Sequence, residues 1–341
     1  MTEKEASAAK QARGGGEAPR HFTFVLLENF SLLAFSSAIE ALRIANRMAG
    51  RRLYGWSLTG EGGGAEGPGA VTCSAGIAIA LDHPLQECGR HDVIVLCGGL
   101  DVQRATTKTL LNWLRREARR GLTIAGLCTA AHVMARAGLL DNRRATIHWE
   151  NQDGFAEDFP DIELTRSVFV TDGNRLTAAG GAASLDMMLK LIAADHGEAL
   201  ANDVADQLIY SQLRTDRDTQ RLSVPARIGV RHPKLAAVIK RMEENIEEPI
   251  SPSELARDVG MSTRQLERLF RRYLDRSPKR YYMELRLQKA RNLLMQTDMS
   301  VINVALACGF SSPSHFSKCY RAQYDITPYR ERGSAAGKAA T

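Results

Sequence analysis

The chain has 341 residues, enough for two domains at about 150 residues each. Hydrophobic residues make up 44% and charged residues 25%, which excludes wholesale disorder, and no apolar run approaches the roughly 18 residues of a membrane span. The net charge of +6 is unevenly placed: residues 231–341 hold 20 Lys and Arg against 12 Asp and Glu, whereas residues 1–230 hold 25 against 27. A basic C-terminal module follows a near-neutral one, so a polyanion is expected to meet the C-terminal part only. Six cysteines (Cys73, Cys88, Cys97, Cys128, Cys308, Cys319) form no C-x-x-C pair and no zinc pattern. The expectation is a reduced, cytoplasmic protein without metal or cofactor.

Residues 1–20 lack the apolar core of a secretory signal and read as a tail. From His21 to about Ala205, strand and helix signals alternate. FTFVLL precedes the helical SSAIEALRIANRMA, YGWSLTG reads as a strand, and DVIVLCGG leads into the helix TLLNWLRREARRG. LTIAGLC then leads into TAAHVMARAGLL, and RLTAAGG into SLDMMLKLIAADHG. Short apolar strands interleaved with helices predict an α/β domain over 21–205, a parallel sheet flanked by helices. Ligands in such folds bind beyond the carboxyl ends of strands, which points to the loops after Leu27, Cys97 and Leu127.

Cys128 stands in the last of these loops, where a helix N-terminus favours the thiolate. Gly98 and Gly99 end the neighbouring strand and offer backbone N–H groups, and His148 follows further on. A cysteine hydrolase is therefore one reading. The segment resembles the class I amidotransferase-like and PfpI-type peptidase fold, whose catalytic members place a histidine after the cysteine or a first-loop glutamate against the thiol. Here Thr129 follows Cys128, and Ala34 stands near the position of that acid, with Glu28 and Glu40 the nearest carboxylates. A cysteine without a positioned base is expected to line a pocket, so no catalytic residue is assigned. The basic run Arg115, Arg116, Arg119 and Arg120 reads as a solvated or dimer-facing surface.

Residues 206–230, rich in charge and containing Pro225, read as a linker. From His232, Leu235, Val238, Ile239, Met242 and Ile246 follow a helical period. Ser251 with Glu254 forms a capping-box pattern, Gly260 makes a turn, and Ser262 caps TRQLERLFRRYL: the grammar of a helix-turn-helix. About fifty residues later it repeats, with Ala305, Gly309 and Phe310 in the places of Ala256, Gly260 and Met261. After one extra residue, Phe316, Lys318, Tyr320 and Arg321 match Leu266, Arg268, Phe270 and Arg271. Between the copies, Ser277 and Pro278 open a helix of about 20 residues that spans ~30 Å, close to one turn of DNA. The first recognition helix would offer Arg264, Glu267 and Arg268 to base edges, and the second Ser314, His315 and Lys318. Arg271, Arg272, Lys279, Arg280 and Arg321 suit phosphates.

Residues 231–332 resemble the DNA-binding domain of AraC/XylS transcriptional regulators, down to the closing DMSVINVALACGFSSPSHFSKCYRAQYDITPYRER; residues 333–341 read as a tail. With the sheet domain in front, nearly the whole chain resembles the GlxA-type branch. FSLLAFSSAIEALRIANR, LLDNRRATIHWENQDGFAEDFPDIE and AAGGAASLDMMLKLIAADHG look closest to its glycine-betaine-responsive activators. The resemblance implies a homodimer on paired promoter half-sites of double-stranded DNA, a small-molecule effector, contact with RNA polymerase and no membrane partner. A quaternary ammonium is held by aromatic faces and a carboxylate, for which Trp149, Glu150 and Phe30 are candidates; its own carboxylate would meet the helix start at Cys128, Thr129 and Ala130. Trp149 and Glu150 fit pocket and core equally, whereas Phe30 and Phe35 fit core better. A ligand-independent DNA-binding dimer is the remaining alternative.

Overall fold

The computed structural model describes residues 18–61, 69–221 and 223–337. The expected tails lie outside these residues up to position 17 and from position 338. The chain forms two compact units: the first runs to Leu140 and resumes over Val168–Asp216, and the second takes Asp141–Ser167 and everything from Arg217 onward. Residues 141–167, read from sequence as part of the sheet domain, thus group by their contacts with the C-terminal unit.

The first unit is built on strands β1 (Arg20–Leu26), β2 (Tyr54–Gly60), β3 (His83–Pro84), β4 (Val93–Cys97), β5 (Thr123–Leu127), β6 (Phe169–Asp172) and β7 (Arg175–Ala178). They form one sheet in the order β6-β7-β5-β4-β1-β2-β3. All neighbours are parallel except β6 and β7, which pair antiparallel with Asp172 opposite Arg175. The two-residue turn Gly173-Asn174, with Gly173 at φ 59°, joins them and admits no crossover, which is why this edge is antiparallel in the otherwise parallel sheet that was expected.

Around the sheet stand helices α1 (Leu32–Met48), α2 (Lys108–Arg119), α3 (Ala131–Arg136), α4 (Ala183–His196) and α5 (Glu198–Gln207). Ser31 caps α1 by accepting from the Ala34 N–H at 3.4 Å, so this helix begins four residues before the apolar pattern suggests. Phe22, Phe24, Leu26, Val95, Ala125 and Leu176 bury one face of the sheet in a core shared with Leu42 of α1, Met188 of α4 and Val204 of α5. In the run read as a solvated or dimer-facing surface, Arg116, Arg119 and Arg120 are exposed, while Arg115 donates to the carbonyls of Arg136 and Ala137 at the end of α3 and Arg120 also pairs with fully buried Glu117. Past α5, Asp186 receives the Arg214 guanidinium at 2.8 Å and the Tyr210 hydroxyl at 2.9 Å, which ties the first part of the expected linker to the sheet unit.

The second unit contains α6 (Pro233–Glu244), α7 (Pro252–Asp258), α8 (Thr263–Leu274), α9 (Pro278–Gln296), α10 (Val301–Ala307), α11 (Pro313–Tyr324) and α12 (Pro328–Gly337). Serines at 251, 262, 277, 300 and 312 accept a backbone N–H at the starts of α7 to α11, and at Ser251 and Ser262 the reciprocal Glu254 and Gln265 bonds complete capping boxes. One apolar core joins Leu235 and Ile239 of α6 to Leu255, Leu266, Phe270, Leu287, Leu294, Val304, Phe316 and Tyr320. Residues 141–167 add a short helix, Gln152–Asp158, seated on the C-terminal end of α9: a Cβ on Gly154 would lie 3.4 Å from Gln296 Cβ and 3.0 Å from Cγ2 of the following Thr297.

Candidate nucleic-acid interface and effector pocket

The two helix-turn-helix copies are α7–α8 and α10–α11, with α9 between them. At about 1.5 Å per residue, the 19 residues of α9 span ~28 Å. In α8 only Leu266 and Phe270 are buried, one turn apart, so Arg264, Glu267, Arg268 and Arg271 are exposed. In α11 Phe316 and Tyr320 are buried on the same spacing, and Ser314, His315, Lys318 and Arg321 are exposed. Each helix therefore buries a narrow apolar stripe and leaves the polar positions named from sequence in solvent.

The turns that set these helices are built differently. Gly260 adopts φ 62° in open surroundings, its carbonyl accepting from Lys234 Nζ at 3.3 Å. Gly309 adopts φ 74° with the carbonyl oxygens of Ile246 and Glu247 against it, each 2.7 Å from where a Cβ would stand. Arg286 of α9 clamps this second turn by donating to the Cys308 and Gly309 carbonyls at 2.8 and 2.7 Å, its guanidinium 4.1 Å from the Phe310 ring centroid. Burial lowers the pKa of Arg286 from its ordinary value. Sequence reasoning missed Arg286, because a basic residue on a basic helix carries no local mark of a carbonyl clamp.

In the sheet unit, three loops converge on Cys128. The thiol residue follows β5 in a left-handed conformation, φ 60°, which costs a side-chain-bearing residue about 1–2 kcal/mol. Opposite it lies Gly180, φ 96°, where a Cβ would stand 2.7 Å from the Cys128 Cβ. Thr129 donates its hydroxyl to the Gly99 carbonyl at 2.7 Å, and a Cβ at Gly98 or Gly99 would collide with Ala130 or with Asn29 and Phe30 respectively. Phe30, Gly98, Gly99, Cys128, Thr129 and Ala130 are thus brought together. Two details differ from the sequence reading. The Gly98 N–H, read as an open donor, is bonded to the Leu127 carbonyl at 3.2 Å because the ladder between the strands runs one residue further. Phe30 is fully buried, edge-on to Phe35 at 5.6 Å between centroids, and has no exposed face for a cation.

His148, Trp149 and Glu150 belong to the second unit, not to the one that holds Cys128. His148 Nδ1 lies 3.8 Å from Glu150 Oε2; burial lowers the imidazole pKa, with Glu150 opposing. Trp149 is 37% exposed and is not core; Arg221 covers its ring at 4.6 Å from the centroid. The cation on this aromatic face is therefore supplied by the chain itself. Among the described residues, no group of three or more His, Cys, Asp or Glu is placed to hold a metal, and no helix is long and apolar enough to cross a membrane.

Comparison with known proteins agrees with both halves of this description. A helix-turn-helix domain model matches residues 255–334, and the DJ-1/PfpI family model matches residues 22–194. The HTH-type transcriptional regulator CdhR of Pseudomonas aeruginosa is 45% identical over 311 residues, covering 91% of each chain. The HTH-type transcriptional regulator GbdR of the same species is 43% identical, over 92% of this chain and 84% of its own. The HTH-type transcriptional regulator GlxA of Rhizobium meliloti is 40% identical, over 89% of this chain and 93% of its own. The chain belongs to the AraC-type transcriptional regulators with a DJ-1/PfpI domain.

As an AraC-family regulator it has DNA as a partner, and its relatives are named as regulators rather than enzymes. Four polar residues of this regulator escaped sequence reading for one reason. Arg286 meets its carbonyls 22 and 23 positions away, Arg214 meets Asp186 28 away, Gln220 bonds Thr146, Ile147 and Ser167 at 53 to 74, and Arg221 covers Trp149. Periodicity registers none of these separations.

Proposed function

We propose that this regulator is a metabolite-responsive transcription activator, acting as a homodimer on paired promoter half-sites and contacting RNA polymerase. The observation that carries the DNA half of the proposal is the duplicated unit, in which two helices of like design, joined through α9, expose Arg264, Glu267, Arg268 and Arg271, and Ser314, His315, Lys318 and Arg321. Arg264 and Arg268 suit guanine edges, Glu267 suits cytosine, and Arg271 and Arg321 suit phosphates.

The proposed effector is glycine betaine or a related methylated amine. Support comes from the sequence resemblance to betaine-responsive members and from the loop cluster at Cys128, where the start of a helical turn at Cys128, Thr129 and Ala130 suits a carboxylate. Trp149 and Glu150 lend less support, since Arg221 occupies the aromatic face a trimethylammonium would need. For the effector to matter it must favour one arrangement of the DNA-binding modules, with coupling of about 1–3 kcal/mol. Calorimetry of the full chain with glycine betaine, dimethylglycine, carnitine and choline tests the effector, and no heat from any of them removes the assignment. Cys128→Ala separates binding from catalysis: a ligand response that survives the substitution leaves the thiol a pocket wall, whereas its loss with a turnover product would favour the hydrolase.

A further inference from the structure

The second unit has an open cleft of about 820 Å³ that the DNA-binding faces do not use. Three stretches build it: residues 149–166 give Trp149 and Arg166, residues 219–227 give Arg221, and helices α6 and α9 give Lys240 and Leu285 among others. The volume lies within the ~300–1,000 Å³ usual for small-molecule sites. Its charge is unbalanced, for five Lys and Arg side chains line it against three carboxylates.

The pairing within the cleft locates the surplus. Lys289 has Asp153 at 3.7 Å and Lys240 has Glu244 at 3.8 Å. Glu243 accepts both nitrogens of Arg227 at 2.8 and 3.0 Å and also has Arg221 at 3.9 Å, so one carboxylate serves two guanidiniums. Burial, then the Arg227 charge and last that of Arg166 lower the pKa of Arg221, with Glu243 opposing. Beside this cluster lie Trp149, one face of which Arg221 covers, and the apolar side chains of Val224 and Leu285. A bound anion would offset the surplus positive charge of Arg166, Arg221 and Arg227, the first two of which are exposed at the cleft.

We propose that this cleft is a second ligand site, for a small organic carboxylate with an apolar body, its head between Arg166 and Arg221 and its body against Trp149 and Leu285. Such a ligand would touch residues 141–167 and the long helix α9 together. Occupancy would hold the segment that is seated on α9 in place, and α9 carries both recognition helices.

The test is calorimetry of the full-length protein with octanoate, benzoate and inorganic phosphate as probes. The proposal expects at least one of the two carboxylates to bind, with affinity at least tenfold weaker in Arg166→Gln and Arg221→Gln. Should Arg221→Gln fail to fold, Arg166→Gln and Trp149→Leu give the same reading. Absence of binding by both carboxylates, equal affinity in wild type and variants, or phosphate binding as tightly as either carboxylate would overturn it. The Arg166→Gln and Arg221→Gln arms keep this outcome separate from the betaine proposal, whose loop cluster belongs to the other unit.

Discussion

Replacing Gly309 by alanine should damage the second unit more than replacing Gly260, although the two occupy matching turns. Both residues have a left-handed backbone, φ 74° and 62°, where a side chain costs about 1–2 kcal/mol. At Gly260 that is the whole effect, since the nearest atom to an added Cβ is the mobile Lys234 Nζ at 3.9 Å. At Gly309 the same Cβ would stand 2.7 Å from the carbonyl oxygens of Ile246 and Glu247 and 2.8 Å from Pro249 Cγ. A backbone carbonyl cannot swing aside as a lysine tip can, so overpacking adds about 1–3 kcal/mol and the total reaches roughly 2–5 kcal/mol. The displaced turn would also disturb the two Arg286 bonds that hold α10–α11 to α9. Amide hydrogen exchange of the full chain in increasing urea reads the effect locally, with α7–α8 as the internal reference for α10–α11. Equal losses for the two variants, or a larger loss at Gly260, would refute the reasoning.

Binding to operator DNA should weaken steeply with salt, because each phosphate contact releases counterions; Arg271→Ala should lower the log–log slope by about 1 in fluorescence anisotropy titrations, and an unchanged slope would remove it from the phosphate set. Arg268→Ala should instead cost about 1–3 kcal/mol and relax preference at one base pair, which binding to a set of singly substituted operators would reveal. His132 is 4% exposed and its pKa is lowered to about 4, chiefly by burial and secondarily by Arg136. The unfolded chain, with a pKa near 6.5, takes up a proton that the folded chain refuses, so stability of the first unit should fall as pH drops from about 6.5 to 4, by on the order of 3 kcal/mol at most. His132→Gln should flatten that window in melting temperatures measured against pH, and an identical slope would show that other groups set it.

Much of the DNA-binding unit was legible in the sequence because its determinants are local. Ser251 with Glu254, the turn glycines at 260 and 309, and the buried pairs Leu266/Phe270 and Phe316/Tyr320 all act within a few residues of themselves. Exposure of Arg268 or Lys318 then follows from helical geometry alone. The strand-helix alternation of the sheet unit was legible on the same grounds, as was the convergence of Phe30, Gly98 and Cys128 at the carboxyl ends of parallel strands.

What tertiary structure decided lies at long separations. The antiparallel edge at Phe169–Ala178, the Arg286 clamp, the grouping of residues 141–167 with the C-terminal unit and the cation over Trp149 were all invisible to pattern. Trp149 shows the difference best. Its neighbours in sequence allowed a pocket wall or a core residue equally, and the choice fell to Arg221, 72 positions later, whose guanidinium finds the ring only once both stretches have packed. Local propensity is written in spacing, whereas a contact between distant side chains depends on where the folded backbone brings them, and no periodicity records that.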